Sequence, residues 1–163
     1  MYQANNNLKY VFMKKMFYSL LICGSLFMTV AVQAQFRSIP GVVTDSFKLK
    51  YPEAKTVNWK DQVSYFEARF TNVGGEKVSA RYSSKGEWQS SYKVITQEKL
   101  PAAVKDGLSK SKYATDWIIM TVTARYLPGS ITQYILRVGK GDISRKNLLF
   151  SSEGQLLKDG TTL

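Results

Sequence analysis

YPEAKTVNWKDQVSYFEARFTNVGGEKVSARYSSKGEW, residues 51–88, alternates apolar and polar side chains with a period of two and breaks that alternation at turn-forming residues. Within 63–71, Phe66, Ala68 and Phe70 fall on one side of an extended chain, and Tyr65, Glu67 and Arg69 on the other. That is the pattern of an antiparallel strand with one face on a core. Gly74-Gly75 predicts a hairpin, because glycine enters positive φ without steric cost. Beyond it Val78, Ala80 and Tyr82 continue the inward face, while Lys77, Ser79 and Arg81 point out. Ser83-Ser84-Lys85-Gly86 turns the chain into a further strand over 87–96. Before 63 the spacing predicts a short strand over 54–60, with Val57 and Trp59 on one side, and a turn at Asp61-Gln62.

Outward from this stretch the period changes. Val43, Phe47 and Tyr51 recur at helical spacing after Pro40, which suits a first helical turn, and Pro52 stops the helix. A second helix begins at Leu100-Pro101, with Leu100, Ala103, Val104 and Leu108 on one stripe and Gly107 weakening it. An apolar strand over 116–126, expected to be central, is followed by strands over 131–138, 143–150 and 155–158. Turns are expected at 127–130, 139–141 and 151–154.

The two halves match. Pro40 to Asp45 resembles Pro101 to Asp106, and Phe66, Ala68, Arg69 and Phe70 align with Tyr134, Leu136, Arg137 and Val138. Tyr82 to Gly86 aligns with Phe150 to Gly154. Each half therefore reads as a helix followed by about four antiparallel strands. Neither helix can bury its apolar stripe except against a sheet, so the expectation is a two-layer α+β fold of two tandem repeats, 35–98 and 99–163.

Residues 1–34 read as a signal peptide instead. Lys14 and Lys15 precede a mainly apolar run from Met16 to Val32, and Val32-Gln33-Ala34 places cleavage before Gln35. A membrane anchor is the competing reading, but Ser19, Gly24, Ser25 and Thr29 leave the run marginal for a span. Lipidation at Cys23 is disfavoured, because Ile22 stands where a small residue is needed. Met13-Lys14-Lys15 is the commoner opening of a signal peptide, so Met13 is an alternative start. The expected location is the periplasm or the exterior.

After residue 34 the chain contains no cysteine and no histidine. Disulfides, thiol nucleophiles and imidazole acid–base chemistry are excluded together. The net charge of +11 over the whole chain falls to +8 once the three lysines before Gln35 are set aside. The basic residues are scattered singly, with no run of three, so a solvated basic surface is expected rather than a nucleic-acid track.

Several short patterns resemble catalytic motifs. Ser90-Ser91-Tyr92-Lys93 and Ser109-Lys110-Ser111-Lys112 both spell Ser-x-x-Lys, which needs the serine at a helix start and the lysine one turn on. The first lies in an expected strand and the second at a helix end. Gly139-Lys140-Gly141 lacks a third glycine and a following helix. The acidic residues are isolated, so neither a carboxylate pair for glycoside hydrolysis nor a calcium loop is expected.

The residues that predict the fold also carry a family resemblance. Phe47, Tyr51-Pro52, Ala54, Val57, Trp59, Tyr65, Ala68, Phe70, Ala80, Tyr82, Gly86, Trp88, Leu100-Pro101 and Ala103-Val104 resemble the pattern of the PepSY-like family of secreted bacterial proteins. Ser46 stands where that family usually has alanine. The resemblance implies export and a tandem-repeat fold similar to beta-lactamase inhibitor protein. It implies no activity and does not transfer that inhibitor's contacts, although Glu76 beside Gly74-Gly75 is in a suggestive position.

What remains is surface recognition. Tyr65, Arg69, Arg81, Trp88 and Tyr92 are expected on the sheet face opposite the helices, and Tyr, Trp and Arg dominate interface energies. Packing of Trp88 and Trp59 at sheet edges or under turns is the plainer alternative. The sequence thus points to an exported, monomeric, non-catalytic binding or inhibitor-like module for a protein or anionic envelope ligand, with no metal, no cofactor and no nucleic acid. An assembly module acting through edge strands is the alternative.

Overall fold

A computed structural model describes residues 38–161; the expected signal peptide, its cleavage before Gln35 and Cys23 lie outside these residues. The described chain runs α1 (Gly41–Lys50), β1 (Lys55–Gln62), β2 (Tyr65–Thr71), β3 (Lys77–Tyr82), β4 (Trp88–Ile95), α2 (Ala102–Ser109), β5 (Ile118–Leu127), β6 (Ile131–Lys140), β7 (Ser144–Ser151) and β8 (Leu156–Gly160). The strands form one antiparallel eight-stranded sheet in sequence order, and the two α-helices pack on one face. This is an α+β fold, as the change of period from helix to strand required. No helix among the described residues is long and apolar enough to cross a membrane.

Each helix covers its own core. Under α1, Val43 and Phe47 meet Phe66, Ala68 and Phe70 of β2 and Ala80 and Tyr82 of β3, all buried. Phe47 sits edge-on to Trp59, Phe70 and Tyr82, with centroids 5.3, 5.1 and 6.2 Å away, a geometry that suits the aromatic quadrupole. Under α2, Val104 meets Val122, Leu136, Val138, Leu148 and Phe150, and Leu100 and Tyr113 close the sides. Between the two cores the helix-side positions of β4 and β5 carry Ser91, Lys93 and Ala124. Ser91 is buried because it receives the Trp88 Nε1–H at 2.7 Å and shares a 2.6 Å hydrogen bond with the Tyr51 hydroxyl.

Glycines let the helices approach the turns. Gly86 has φ +82, and a Cβ there would stand 2.8 Å from the Val42 carbonyl oxygen. Gly154, with φ +86, lies under α2 so closely that a Cβ would stand 2.1 Å from the Ala103 oxygen. Ala103 is consequently not on the buried stripe; its side chain is exposed, and its carbonyl meets the turn.

The structure departs from strict alternation where the chain bulges. Thr56 has φ +53, and the β1–β2 register shifts between Lys55 and Asn58, so Val57 turns out to 39% exposure while Trp59 remains against the first core. β1 also continues through Asp61 and Gln62, and the turn falls at 63–64, leaving Val63 99% exposed. Similarly β6 runs through Gly139 and Lys140, and Ile143 sits in the following turn. β5 is the fifth of eight strands, as a central strand should be, yet only Val122 and Ala124 in it are buried.

One buried group is unsatisfied. The Tyr82 hydroxyl has no hydrogen-bond partner among the described residues, and burial holds it well above the ordinary tyrosine range. A desolvated hydroxyl without a partner costs about 1–3 kcal/mol. Tyr82→Phe is therefore expected to keep the ring contacts and raise stability by about 1 kcal/mol, read as a higher urea midpoint at unchanged slope. A lower midpoint would mean that the hydroxyl has a partner after all.

Candidate functional site

The face opposite the helices is built by the outward positions of the same strands. Register places Arg69 beside Ser79, Ser79 beside Tyr92, and Tyr92 beside Arg125, so the face continues from β2 into β5. Tyr65, Arg69, Arg81 and Tyr92 all lie on it, and three of them touch. The Arg81 guanidinium carbon is 4.5 Å from the Tyr65 ring centroid and 4.5 Å from that of Tyr92. Its Nη1 donates to the Tyr92 hydroxyl at 3.2 Å. On the other side of Tyr92, the Arg125 guanidinium lies 5.8 Å from the ring centroid and donates to Gln133 Oε1 at 3.4 Å. The result is a ladder, Tyr65–Arg81–Tyr92–Arg125, across four neighbouring strands. Planar cations stacked on aromatic faces are attracted by the ring quadrupole and held in fixed orientation.

Arg69 stands apart from the ladder. Its Nε donates to Glu67 Oε1 at 2.9 Å; the Glu67 side chain is 8% exposed and that of Arg69 52%. Glu67 is satisfied by the arginine two residues along its own strand. The hydrogen bond and charge of Glu67 hold the Arg69 guanidinium above its usual value, so it remains a fixed cation.

Trp88 is not on this face. The β3–β4 register shifts between Arg81 and Tyr82, so that Tyr82 pairs with Trp88 while Arg81 pairs with Ser90. That bulge turns Trp88 to the helix side, where it packs against the first core with Lys50 Nζ 3.7 Å from its ring centroid. Counting back by twos from Tyr92 gives the wrong face because the count crosses the bulge. Glu76 is likewise not a free carboxylate: Lys93 lies 2.5 Å and Lys99 3.8 Å away, and Asn72 donates to it at 2.9 Å. The Lys93 and Asn72 hydrogen bonds hold its carboxyl below the ordinary glutamate range.

Two clefts open on the ladder face and meet at Tyr92. One, of ≈ 450 Å³, is bordered by Asn58, Arg69, Ser79, Val94 and Thr123. The other, of ≈ 500 Å³, is bordered by Arg81, Arg125, Ile135, Asn147, Leu149 and Lys158. The second cleft lies mostly in the second half of the sheet, and sequence reasoning missed it. Its residues become neighbours through the pairs Tyr92–Arg125, Ile135–Leu149 and Leu149–Lys158. The outward parity of Ile135 follows from its alternation with Tyr134 and Leu136, whereas that of Arg125, and its place beside Tyr92, depends on the β4–β5 register.

The catalytic patterns are taken apart by the fold. Ser90 pairs with Arg81 on the ladder face, whereas Lys93 bonds Glu76 on the other. Ser109 Oγ donates to the Asp106 carbonyl, and Lys112 Nζ lies 2.9 Å from Asp159, which also accepts the Tyr113 hydroxyl. Among the described residues no three His, Cys, Asp or Glu side chains gather at one point. The arrangement is suited to holding an anion or an interface.

No family model and no curated protein matches the chain. Solved structures do resemble it. A DUF2874 family protein from Bacteroides ovatus is 25% identical, with a TM-score of 0.69 over 76% of this chain and 87% of that one. A DUF2874 family protein from Bacteroides uniformis is 23% identical, with a TM-score of 0.69 over 74% and 88%. A BLIP-like protein from Bacteroides fragilis is 22% identical, with a TM-score of 0.68 over 77% and 88%. The fold is therefore BLIP-like.

Proposed function

We propose that this chain is an exported, non-catalytic binding or inhibitor-like module that recognises a protein or anionic envelope ligand through the sheet face carrying Tyr65, Arg69, Arg81 and Tyr92. The observation that carries this reading is the Tyr65–Arg81–Tyr92–Arg125 ladder beside two clefts that share Tyr92. Aromatic and arginine side chains held rigidly at the centre of a face lose little entropy on binding and are the groups that dominate interface energies. The reading includes the signal peptide at 1–34, a monomeric state, and descent from two tandem α-β4 repeats of the PepSY-like kind, 35–98 and 99–163. The matching roles of Gly86 under α1 and Gly154 under α2 support the repeat. Assembly through edge strands is less well supported, because β1 carries the Thr56 bulge together with Lys55, Lys60 and Asp61, features that blunt a sheet edge.

Trp59 and Trp88 pack against the helix-side core under α1, and Trp117 against that under α2, so tryptophan emission should be a weak reporter of binding. The test is affinity capture from envelope extract with wild-type chain and with Arg69→Ala, Arg81→Ala and Tyr92→Ala as baits. The ligand retained by wild type is expected to be lost or weakened about tenfold or more with Arg81→Ala and Tyr92→Ala, at unchanged far-UV circular dichroism. Equal retention by all baits would reject the face.

A further inference from the structure

We propose that the cleft bordered by Arg81, Tyr92, Arg125 and Lys158 receives the carboxylates of an acidic, partly apolar peptide segment of a partner protein. This rests on the face reading above and gives its ligand a chemistry.

Arg81, Arg125 and Lys158 border the cleft, and no acidic residue lines it. Glu67 stands opposite Arg81 in the register, but its carboxylate is taken by Arg69. A cleft with cations on one low-dielectric wall focuses field on an anion.

The two arginines also have unfilled hydrogen-bonding capacity. Arg81 Nε and Arg125 Nε are buried and have no acceptor among the described residues. Each guanidinium spends an Nη1 hydrogen within the ladder, on Tyr92 and Gln133. A carboxylate that turns the guanidinium edge toward the cleft accepts from Nε and a neighbouring Nη together, in the fork geometry that arginine presents and lysine does not. Binding a carboxylate at each arginine would remove two unsatisfied donors, whereas a neutral ligand would leave them in place.

Ile135 and Leu149 lie beside the cations, and Val94, 63% exposed, lies in the adjoining cleft. The ligand therefore has apolar groups next to its anions. The lining of this cleft, from Arg81 on β3 to Lys158 on β8, crosses several strands, which is more room than a single small anion uses and suits an extended chain. Stacked nucleobases fit poorly, because two guanidinium groups, of Arg81 and Arg125, already lie 4.5 and 5.8 Å from the Tyr92 ring centroid.

The probe is a fluorescein-labelled peptide of about a dozen residues combining Glu, Leu and Ser, measured by anisotropy against the purified full chain at two salt concentrations. The same peptide with Gln for Glu is its control. The acidic peptide is expected to bind, more weakly at high salt, and the Gln peptide at least about tenfold less well. Arg81→Gln and Arg125→Gln should each weaken the acidic peptide about tenfold. Lys158→Gln, at an exposed position, should weaken it severalfold. Equal binding of both peptides would overturn the proposal, as would indifference to Lys158→Gln and Arg125→Gln. Binding of phosphatidylglycerol vesicles or inorganic phosphate in place of the peptide would overturn it in favour of a phosphate ligand. If envelope capture depends on Arg81 and Tyr92 but no acidic peptide binds, the face reading stands and the ligand class is wrong.

Discussion

Gly107→Ala is expected to destabilise the fold by about 1–3 kcal/mol, although the same change in an isolated helix would favour helix by about 1 kcal/mol. The sign reverses because of what lies opposite. A Cβ on Gly107 would stand 1.9 Å from the carbonyl oxygen of Gly154 and 2.9 Å from its carbonyl carbon. Both are backbone atoms, so no side chain can rotate away. Gly154 is held in place by the turn, which its φ of +86 shapes and which the Gly154 N–H bond to the Ser151 carbonyl closes. The helix must lift off the turn, and Val104 with it, from contact with Leu148 and Phe150 in the second core. Against a typical stability of about 5–15 kcal/mol this is a large fraction. Urea unfolding followed by far-UV circular dichroism should show a lower midpoint. Gly154→Ala should be worse still, because a left-handed backbone adds about 1–2 kcal/mol to the steric cost for a residue with a Cβ. A higher midpoint for Gly107→Ala would mean that helix and turn do not meet as closely as described.

Phe66→Asp is expected to abolish the first core. Phe66 is 3% exposed and pairs across the strand with Tyr82, itself fully buried. Losing the ring's burial costs about 1.5–3 kcal/mol. An unpaired carboxylate in the same place must either protonate or admit water, which costs several kcal/mol more. No acceptable position exists for it between Phe47 and Tyr82. The residues of the second core, Val104, Val122, Leu136, Leu148 and Phe150, form a separate cluster. Amide exchange should therefore lose its protection over 65–82 and retain it at Val122, Leu136 and Leu148. Uniform loss would show a single cooperative unit, contrary to the repeat reading; uniform retention would show that Phe66 is not buried.

The core was legible because it is local. Phe66, Ala68 and Phe70, then Val78, Ala80 and Tyr82, alternate without interruption across one glycine hairpin, and each lies on the helix side. What failed was parity carried through irregular backbone. The bulge at Thr56 released Val57, and the bulge opposite Tyr82 moved Trp88 from the expected binding face into the first core. Neither is encoded by the hydrophobic pattern, since an extra residue changes the face without changing the composition. Val63 and Ile143 failed for another reason. Both are β-branched residues at exposed hairpin tips, where strand preference has no neighbour to act on. Half of the candidate site was legible as outward residues on β2 to β4. The other half, Arg125, Asn147, Leu149 and Lys158, depends on β4 pairing with β5 across an intervening helix, and nothing local specifies that register.

The central claim is that recognition belongs to the sheet face opposite the helices. It is tested most directly by amide chemical shifts of the isotopically labelled chain as the envelope ligand retained by the wild-type bait is titrated in. Perturbations are expected to cluster at outward positions of β2 to β5, with Arg69, Arg81, Tyr92 and Arg125 among the largest, while α1 and α2 stay unmoved. Shifts centred on the helices, or on the edges β1 and β8 with the ladder unchanged, would contradict it.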